Sequence, residues 1–150
     1  EGIIVAGGNG KGDQLNQLSF PTYIFVDRED TVYVSDTKNH RVMKWLKGAK
    51  EGIVVAGGQG QGNSSKQLDD PTGVIVNEIG DIYVADNLND RIVCWSPGSK
   101  EGRVIIGGNG RGQGSNQFSG LRDLLFDHEN NLYAIDYLNN RIQKFEVDKN

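Results

Sequence analysis

The stretch that decides the fold is residues 33–45, which read Tyr-Val-Ser-Asp-Thr-Lys-Asn-His-Arg-Val-Met-Lys-Trp. It returns at residues 83–95 as Tyr-Val-Ala-Asp-Asn-Leu-Asn-Asp-Arg-Ile-Val-Cys-Trp, and at residues 133–145 as Tyr-Ala-Ile-Asp-Tyr-Leu-Asn-Asn-Arg-Ile-Gln-Lys-Phe. In every copy, apolar runs flank the polar hexad Asp-x-x-Asn-x-Arg. This pattern predicts a strand, a tight turn and a second strand.

Two further apolar runs accompany each copy of this stretch. One follows a Glu-Gly pair and is rich in β-branched residues, and the other precedes an acidic turn; both patterns predict strands. A fixed period with four short strands per repeat is typical of a β-propeller blade. We therefore predict an all-β fold of three four-stranded antiparallel blades in a single domain, residues 1–150. Its repeats are 1–50, 51–100 and 101–150. The runs after the Glu-Gly pair are 3–6, 53–56 and 104–106, and the runs before the acidic turn are 23–27, 74–77 and 124–127.

The turn carries a resemblance to a known family. Asn39-His40-Arg41-Val42, behind residues 33–36 and 21–27, resembles the NHL repeat, which is named for an Asn-His-Leu triplet in this turn. The later copies carry Asn-Asp-Arg at 89–91 and Asn-Asn-Arg at 139–141, so the central His is not kept. The resemblance covers all three repeats and implies a propeller that usually has six blades. Members of this family serve as RNA-binding, protein-binding, sensor or enzyme domains.

The resemblance also orders the strands of each blade. It implies that the strand before the acidic turn is innermost and that the run after the aromatic residue is outermost. Residues 1–8 would then be an outermost strand without its own blade, and residues 121–147 a blade without its outermost strand. Three blades cannot close a ring, so we predict a six-bladed homodimer, built from an excised or engineered fragment of a longer array. Residues 1–8 would complete the last blade of the partner; the closing residues are Ile3, Ile4, Val5, Ala6, Ile142, Lys144 and Phe145.

The composition limits the classes of partner. The net charge is −4 and the pI about 5.1, which disfavours a dedicated nucleic-acid binder. The sequence has one Cys, so it predicts neither an intrachain disulfide nor a cysteine metal cluster. No apolar run approaches the roughly 20 residues of a membrane span. We expect no nucleic-acid partner, no membrane contact and no cofactor, and the cellular compartment stays open.

The residues of the hexad have a structural interpretation. An Asp in such a turn accepts backbone N–H groups, an Asn tolerates the left-handed conformation, and an Arg forks to carboxylate or carbonyl oxygens. Catalytic residues rarely recur identically in every repeat. The predicted structural set is Asp36, Asn39, Arg41, Asp86, Asn89, Arg91, Asp136, Asn139 and Arg141.

Four other features of the sequence could suggest chemistry, and each has a structural explanation. The Gly-rich segments, beginning at Gly7, lack the following helix that phosphate-binding loops require, so they are interpreted as connectors between blades. His40 and His128 have no His at equivalent positions, and we expect both to be solvated. Cys94 stands where the other repeats carry Lys, and we expect its thiol to reach solvent. The acidic turns lack the spacing of a calcium loop, so no metal site is predicted.

The third repeat departs from its siblings at one place. Pro-Thr-Tyr at 21–23 and Pro-Thr-Gly at 71–73 become Leu-Arg-Asp at 121–123, near the predicted mouth of the central channel. Because propellers commonly bind ligands there, the candidate ligand site is Tyr23, Arg122 and Asp123.

We predict a non-enzymatic scaffold that binds a protein or a small ligand. A lyase- or hydrolase-type propeller enzyme and an RNA-binding domain are the alternatives. The enzyme would need a His or metal-ligand cluster around the channel. The RNA binder would need a basic loop face, where acidic residues offset Lys11, Lys38, Lys66 and Arg111.

Overall fold

The computed structural model describes residues 1–147 and contains eleven strands in three antiparallel sheets. The sheets follow one another along the chain, and each corresponds to one predicted blade. Blade 1 comprises β1 (Pro21–Val26), β2 (Val32–Asp36), β3 (Arg41–Trp45) and β4 (Ile53–Gly57). Blade 2 comprises β5 (Pro71–Val76), β6 (Ile82–Asp86), β7 (Arg91–Trp95) and β8 (Arg103–Gly107). Blade 3 comprises β9 (Leu121–Phe126), β10 (Leu132–Asp136) and β11 (Arg141–Phe145). The prediction of an all-β fold is confirmed.

Each blade is a meander in which consecutive strands pair. The hexad forms the hairpin between the second and third strands, and its ends pair directly, Asp36 with Arg41 in blade 1. A short 3₁₀ turn, Thr37–Asn39, is followed by His40 at φ +50°. The left-handed residue is therefore the one after Asn39, not the Asn that the sequence interpretation chose, because the 3₁₀ turn already includes the Asn.

Neighbouring blades pack face to face through apolar side chains. Between blades 1 and 2 the buried residues include Val42, Leu68 and Val74, and between blades 2 and 3 they include Phe118 and Leu124. Alternating residues of each innermost strand point to opposite neighbours, since successive strand side chains lie on opposite faces. Val74 packs toward blade 1 and Ile75 toward blade 3. We call each such contact between neighbouring blades a seam.

A glycine is required where a blade ends. Gly57 closes β4 with φ +64°, and a Cβ built there would lie 2.5 Å from the backbone oxygen of His40. Only a residue without a side chain allows the connector to turn this close to the hairpin. The connector then leads through the buried Leu68 into blade 2. Within residues 1–147, no helix has the length and apolar character needed to cross a membrane.

Residues 1–8 differ from the sequence expectation. The pattern of residues 3–6 predicts a strand, but the structure shows no strand there, and Ile3 is 84% exposed. The equivalent run in the second repeat forms β4 because it pairs with β3. Among the described residues, no strand edge pairs with residues 3–6, so the β-branched pattern has no hydrogen-bonding partner that would fix it as a strand.

Candidate functional site

The hexad forms a buried polar network in every blade. The Asp86 carboxylate is inaccessible to solvent and accepts the backbone N–H of Asp69 at 2.7 Å, the Asn89 Nδ2 at 2.8 Å and the Arg91 Nε at 2.6 Å. The equivalent bonds of Asp36 and Asp136 lie between 2.7 and 2.9 Å. These carboxylates are fully engaged by their own blade and by the connector that precedes it.

The Arg of the hexad fixes the Gly-rich connector. In blade 1 the Arg41 guanidinium donates to the backbone oxygens of Asp13, Gln14 and Gln17 at 2.8 to 3.2 Å. The amide of Asn39 donates to the backbone oxygen of Gly12 at 2.8 Å. The hexad therefore joins the blade hairpin to the loop that precedes the blade, and its donors are directed at carbonyl groups of the protein.

The innermost strands change register where the candidate residues lie. In β1 the pairing with β2 shifts between Pro21 and Ile24, and β5 and β9 shift at the equivalent places. Such a bulge leaves residues outside the ladder and redirects their side chains. Tyr23, Gly73 and Asp123 occupy this position in the three blades. The three repeats therefore carry different side chains at a position that strand pairing does not constrain.

A cavity of about 410 Å³ lies along the three innermost strands. Tyr23 and Asp123 both line it, together with Asn77, Glu78 and Asn130 from the ends of the strands. One oxygen of Asp123 accepts the N–H of Leu124 at 2.8 Å. Within residues 1–147 its second oxygen makes no hydrogen bond, so a carboxylate oxygen is free to contact a ligand.

Gly73 explains how the Asp123 carboxylate reaches this cavity. A Cβ at Gly73 would lie 2.7 Å from the Cα and 2.9 Å from Oδ1 of Asp123. Any side chain at position 73 of blade 2 would therefore displace Asp123 of blade 3. The change from Tyr to Gly in the second repeat was a usable sequence signal for this close approach.

Arg122 does not join the cavity. Its guanidinium lies over the ring of Tyr137, 5.1 Å from the ring centroid, and the residue is exposed. The structure therefore brings together two of the three predicted residues, Tyr23 and Asp123. Sequence reasoning missed Asn77, Glu78 and Asn130; their place in the acidic turns, just after the innermost strands, was the available signal.

The environment of His40 differs from the expectation. Its side chain is largely buried between blades 1 and 2, where Nδ1 accepts the N–H of Asp70 at 3.1 Å. The carboxylates of Asp69 and Asp70 lie 3.8 and 3.6 Å from Nδ1, and ligand atoms of the three residues lie within 4.8 Å of one another. Because Lys38 also pairs with Asp70, contacts across the seam already account for this cluster.

Cys94 is also placed differently from the expectation. The residue is buried beside Tyr83, its partner in the sheet, and not directed to solvent. Burial raises the pKa of the Cys94 thiol and raises the pKa of Tyr83 to about 12. The lysines at the equivalent positions misled the prediction, because a long Lys stem carries its charge past the Tyr ring to water, whereas a thiol is too short to do so.

Comparisons with known proteins extend the fold assignment. No protein-family model and no curated protein matches the chain. An auxiliary nutrient binding protein from Bacteroides thetaiotaomicron matches in structure with 17% identity and a TM-score of 0.64, over 81% of this chain and 36% of that chain. A streptogramin B lyase matches with 15% identity and a TM-score of 0.54, over 87% and 41%. These proteins are β-propellers.

The fold is that of β-propeller blades. A virginiamycin B lyase from Staphylococcus aureus with quinupristin also matches, with 12% identity and a TM-score of 0.51 over 96% of this chain and 48% of that chain. The chain thus spans between 36% and 48% of the length of these three propellers. At these identities the likeness establishes the fold and nothing about the reaction.

The prediction that the chain is not an enzyme is wrong as an inference from the fold. It rested on regular repeats without a His cluster, and the matched propellers include two named as lyases. Regular repeats fix the hydrogen bonding of the blades, whereas the residues that line the channel vary between blades. The repeated hexad therefore carries no information about catalysis at the channel.

Proposed function

We propose that this chain is an NHL-type propeller module that binds a ligand with a positively charged group in the cavity along its innermost strands. The observation that carries the proposal is the placement of Tyr23 and Asp123 in one cavity, at the bulge where the three repeats differ. The resemblance of the hexads to the NHL repeat supports the family assignment.

The lining of the cavity favours a cationic ligand with an apolar part. Among the residues that the structure describes, the lining contains the carboxylates of Asp123 and Glu78 and includes no Lys or Arg. Arg28 pairs with Glu78 at 3.4 Å on the exposed rim, which leaves Asp123 as the main source of charge. Phe25 and Phe126 supply aromatic surface beside it. Aromatic faces and a carboxylate together are a chemically suitable environment for an ammonium or guanidinium group.

RNA binding is less well supported by the same surfaces. Three of the four cations of the predicted basic face are paired with carboxylates: Lys38 with Asp70, Lys66 with Glu101 and Arg111 with Asp90. Nucleic-acid binding depends on cations that are free to replace counterions. The overall charge of −4 acts in the same direction.

The proposal is tested by nuclear magnetic resonance titration of ¹⁵N-labelled protein with N-acetyl-lysine amide, and with N-acetyl-glutamate amide as the anionic counterpart. The expected result is a saturable shift of the Tyr23 and Asp123 amides with the lysine compound alone. Asp123→Asn should abolish the shift, whereas Asp13→Asn, an equal charge change at an exposed connector residue, should leave it intact. Equal shifts with both compounds, or persistence in Asp123→Asn, would contradict the proposal.

A further inference from the structure

Both outer blades present apolar faces that are buried elsewhere in the molecule. Ile142 of blade 3 is 61% exposed, whereas its equivalents Val42 and Ile92 are fully buried in seams. Ile24 of blade 1 is 65% exposed, whereas its equivalent Val74 is 2% exposed. The exposed residues are of the same type as those that form the two seams. The two faces therefore have the composition of the two halves of a third seam.

Blade 3 also has an open strand edge. In blade 1 the third strand pairs with the outermost one through Lys44–Ile53, Met43–Val54, Val42–Ala56 and Arg41–Gly57. Blade 2 repeats this register with β7 and β8. Among the described residues, β11 has no strand on this edge. An unpaired edge of this kind is a site for strand addition.

Residues 3–7, Ile-Ile-Val-Ala-Gly, match the sequence of β4, Ile-Val-Val-Ala-Gly. They already lie against blade 1 in the way that β4 lies against blade 2. A hollow beneath residues 3–7 is lined by Val32 and Trp45, and the hollow beneath β4 is lined by their equivalents, Ile82 and Trp95.

The second hollow shows what the first one lacks. Beneath β4 the lining is completed by Tyr33 and Lys44 of the preceding blade, with the Lys44 Nζ 5.6 Å from the Tyr33 ring centroid. The equivalents of these two residues are Tyr133 and Lys144 of blade 3, which have the same arrangement at 5.7 Å. Blade 3 thus carries the surface that residues 3–7 would need beside them.

We propose that a second copy of this chain supplies both missing halves, so that two copies close a six-bladed ring. Residues 3–7 of each copy form the outermost strand of blade 3 in the other, in the register Lys144–Ile3, Gln143–Ile4, Ile142–Ala6 and Arg141–Gly7. Two identical seams related by a two-fold axis leave neither face uncovered. Two copies give six blades, within the range of about four to eight that propellers adopt, whereas three copies would exceed it.

Closure completes the cavity at the innermost strands. Tyr23, Gly73 and Asp123 occupy equivalent positions in blades 1, 2 and 3, and among the described residues no blade follows blade 3. In the ring, the next blade is blade 1 of the second copy, which brings its Tyr23 beside Asp123. A phenol then lies beside the carboxylate at each new seam, and each ring has two such pairs. The closure itself does not depend on the ligand proposal, since it follows from the blade surfaces alone.

The first test is the mass in solution by light scattering across a range of concentrations. We expect twice the chain mass of 16.4 kDa for the wild type and a single chain for the double variant Ile3→Asp, Ile4→Asp. Ile79→Asp is the matched control, because Ile79 is equally apolar and 68% exposed in a turn of blade 2 away from either face; it should stay dimeric. A wild-type monomer, or an open series of larger assemblies, would overturn the proposal.

The second test fixes the register and does not depend on disrupting the fold. In a Cys94→Ser background, Ile3→Cys with Lys144→Cys should oxidise to a covalent dimer, because directly opposed strand residues have Cα separations that a disulfide can bridge. Ile3→Cys with Ile142→Cys places the thiols two residues out of register and should cross-link at least tenfold more slowly. Equal cross-linking of the two pairs, or cross-linking within one chain, would overturn the register and with it the proposed ring.

Discussion

Truncation of the Asp86 side chain should destabilise the fold strongly. In Asp86→Ala, the Asp69 N–H and the Asn89 amide lose their acceptor, and the Arg91 guanidinium loses its counterion. Arg91 is itself buried, with 7% of its surface exposed, and it retains only backbone carbonyl partners. Breaking a buried ion pair by removing one partner costs about 3–5 kcal/mol. We expect a loss of unfolding free energy in that range.

The assay is equilibrium unfolding in urea followed by far-ultraviolet circular dichroism, with matched controls. Asp86→Asn keeps an acceptor oxygen but not the charge, and should lie between the wild type and Asp86→Ala. Asp30→Asn removes a charge whose partner, Lys47, is exposed, and it keeps a residue type that tolerates the left-handed backbone at this position, so it should cost far less than either Asp86 variant. If Asp86→Ala cost no more than Asp30→Asn, the hexad would not be a structural network and its assignment would have to change.

Three further outcomes follow from local geometry. In urea unfolding, Gly57→Ala should destabilise the fold by about 1–3 kcal/mol more than Gly48→Ala. Both glycines have positive φ, but only at Gly57 would a Cβ meet a backbone oxygen, so equal costs would contradict this reasoning. Hydrogen bonds, first from the Asn131 side chain, lower the pKa of Asp127. The difference in unfolding free energy between wild type and Asp127→Ala should therefore be largest at neutral pH and shrink as the pH falls below about 4. A difference that stays constant with pH would refute this prediction. Cys94 should react with Ellman's reagent only after unfolding, since it is buried with a raised thiol pKa; rapid labelling of the native protein would oppose that placement.

The sequence specified the blades well because their signals are local and repeated. Apolar alternation, the hexad and the fixed spacing each predict the same hairpins, and three copies reinforce one another. The strand predicted at residues 3–6 does not form within the single chain, for a physical reason. Its β-branched residues, such as Ile3 and Val5, favour an extended chain, but hydrogen bonds to a neighbouring strand are needed to make it a strand.

The candidate site was predictable only in part. The departure of the third repeat at Asp123 indicated the position, and the structure places this residue with Tyr23 in one cavity. The direction of Arg122 could not be read from the pattern, because a bulge redirects its side chains. His40 and Cys94 were misplaced for a related reason. Their burial depends on the neighbouring blade or on side-chain length, and neither is visible within a single repeat.

Hydrogen exchange at the backbone amides of residues 3–6 tests the closure of the ring most directly. The amides of residues 53–56 in the same sample provide an internal reference, because β4 is the equivalent strand with its partner present. We predict that residues 3–6 are protected to within about tenfold of residues 53–56 in the wild type, because stable strand pairing slows exchange. Exchange of residues 3–6 at the rate of an unstructured chain, at concentrations where residues 53–56 are protected, would contradict the account.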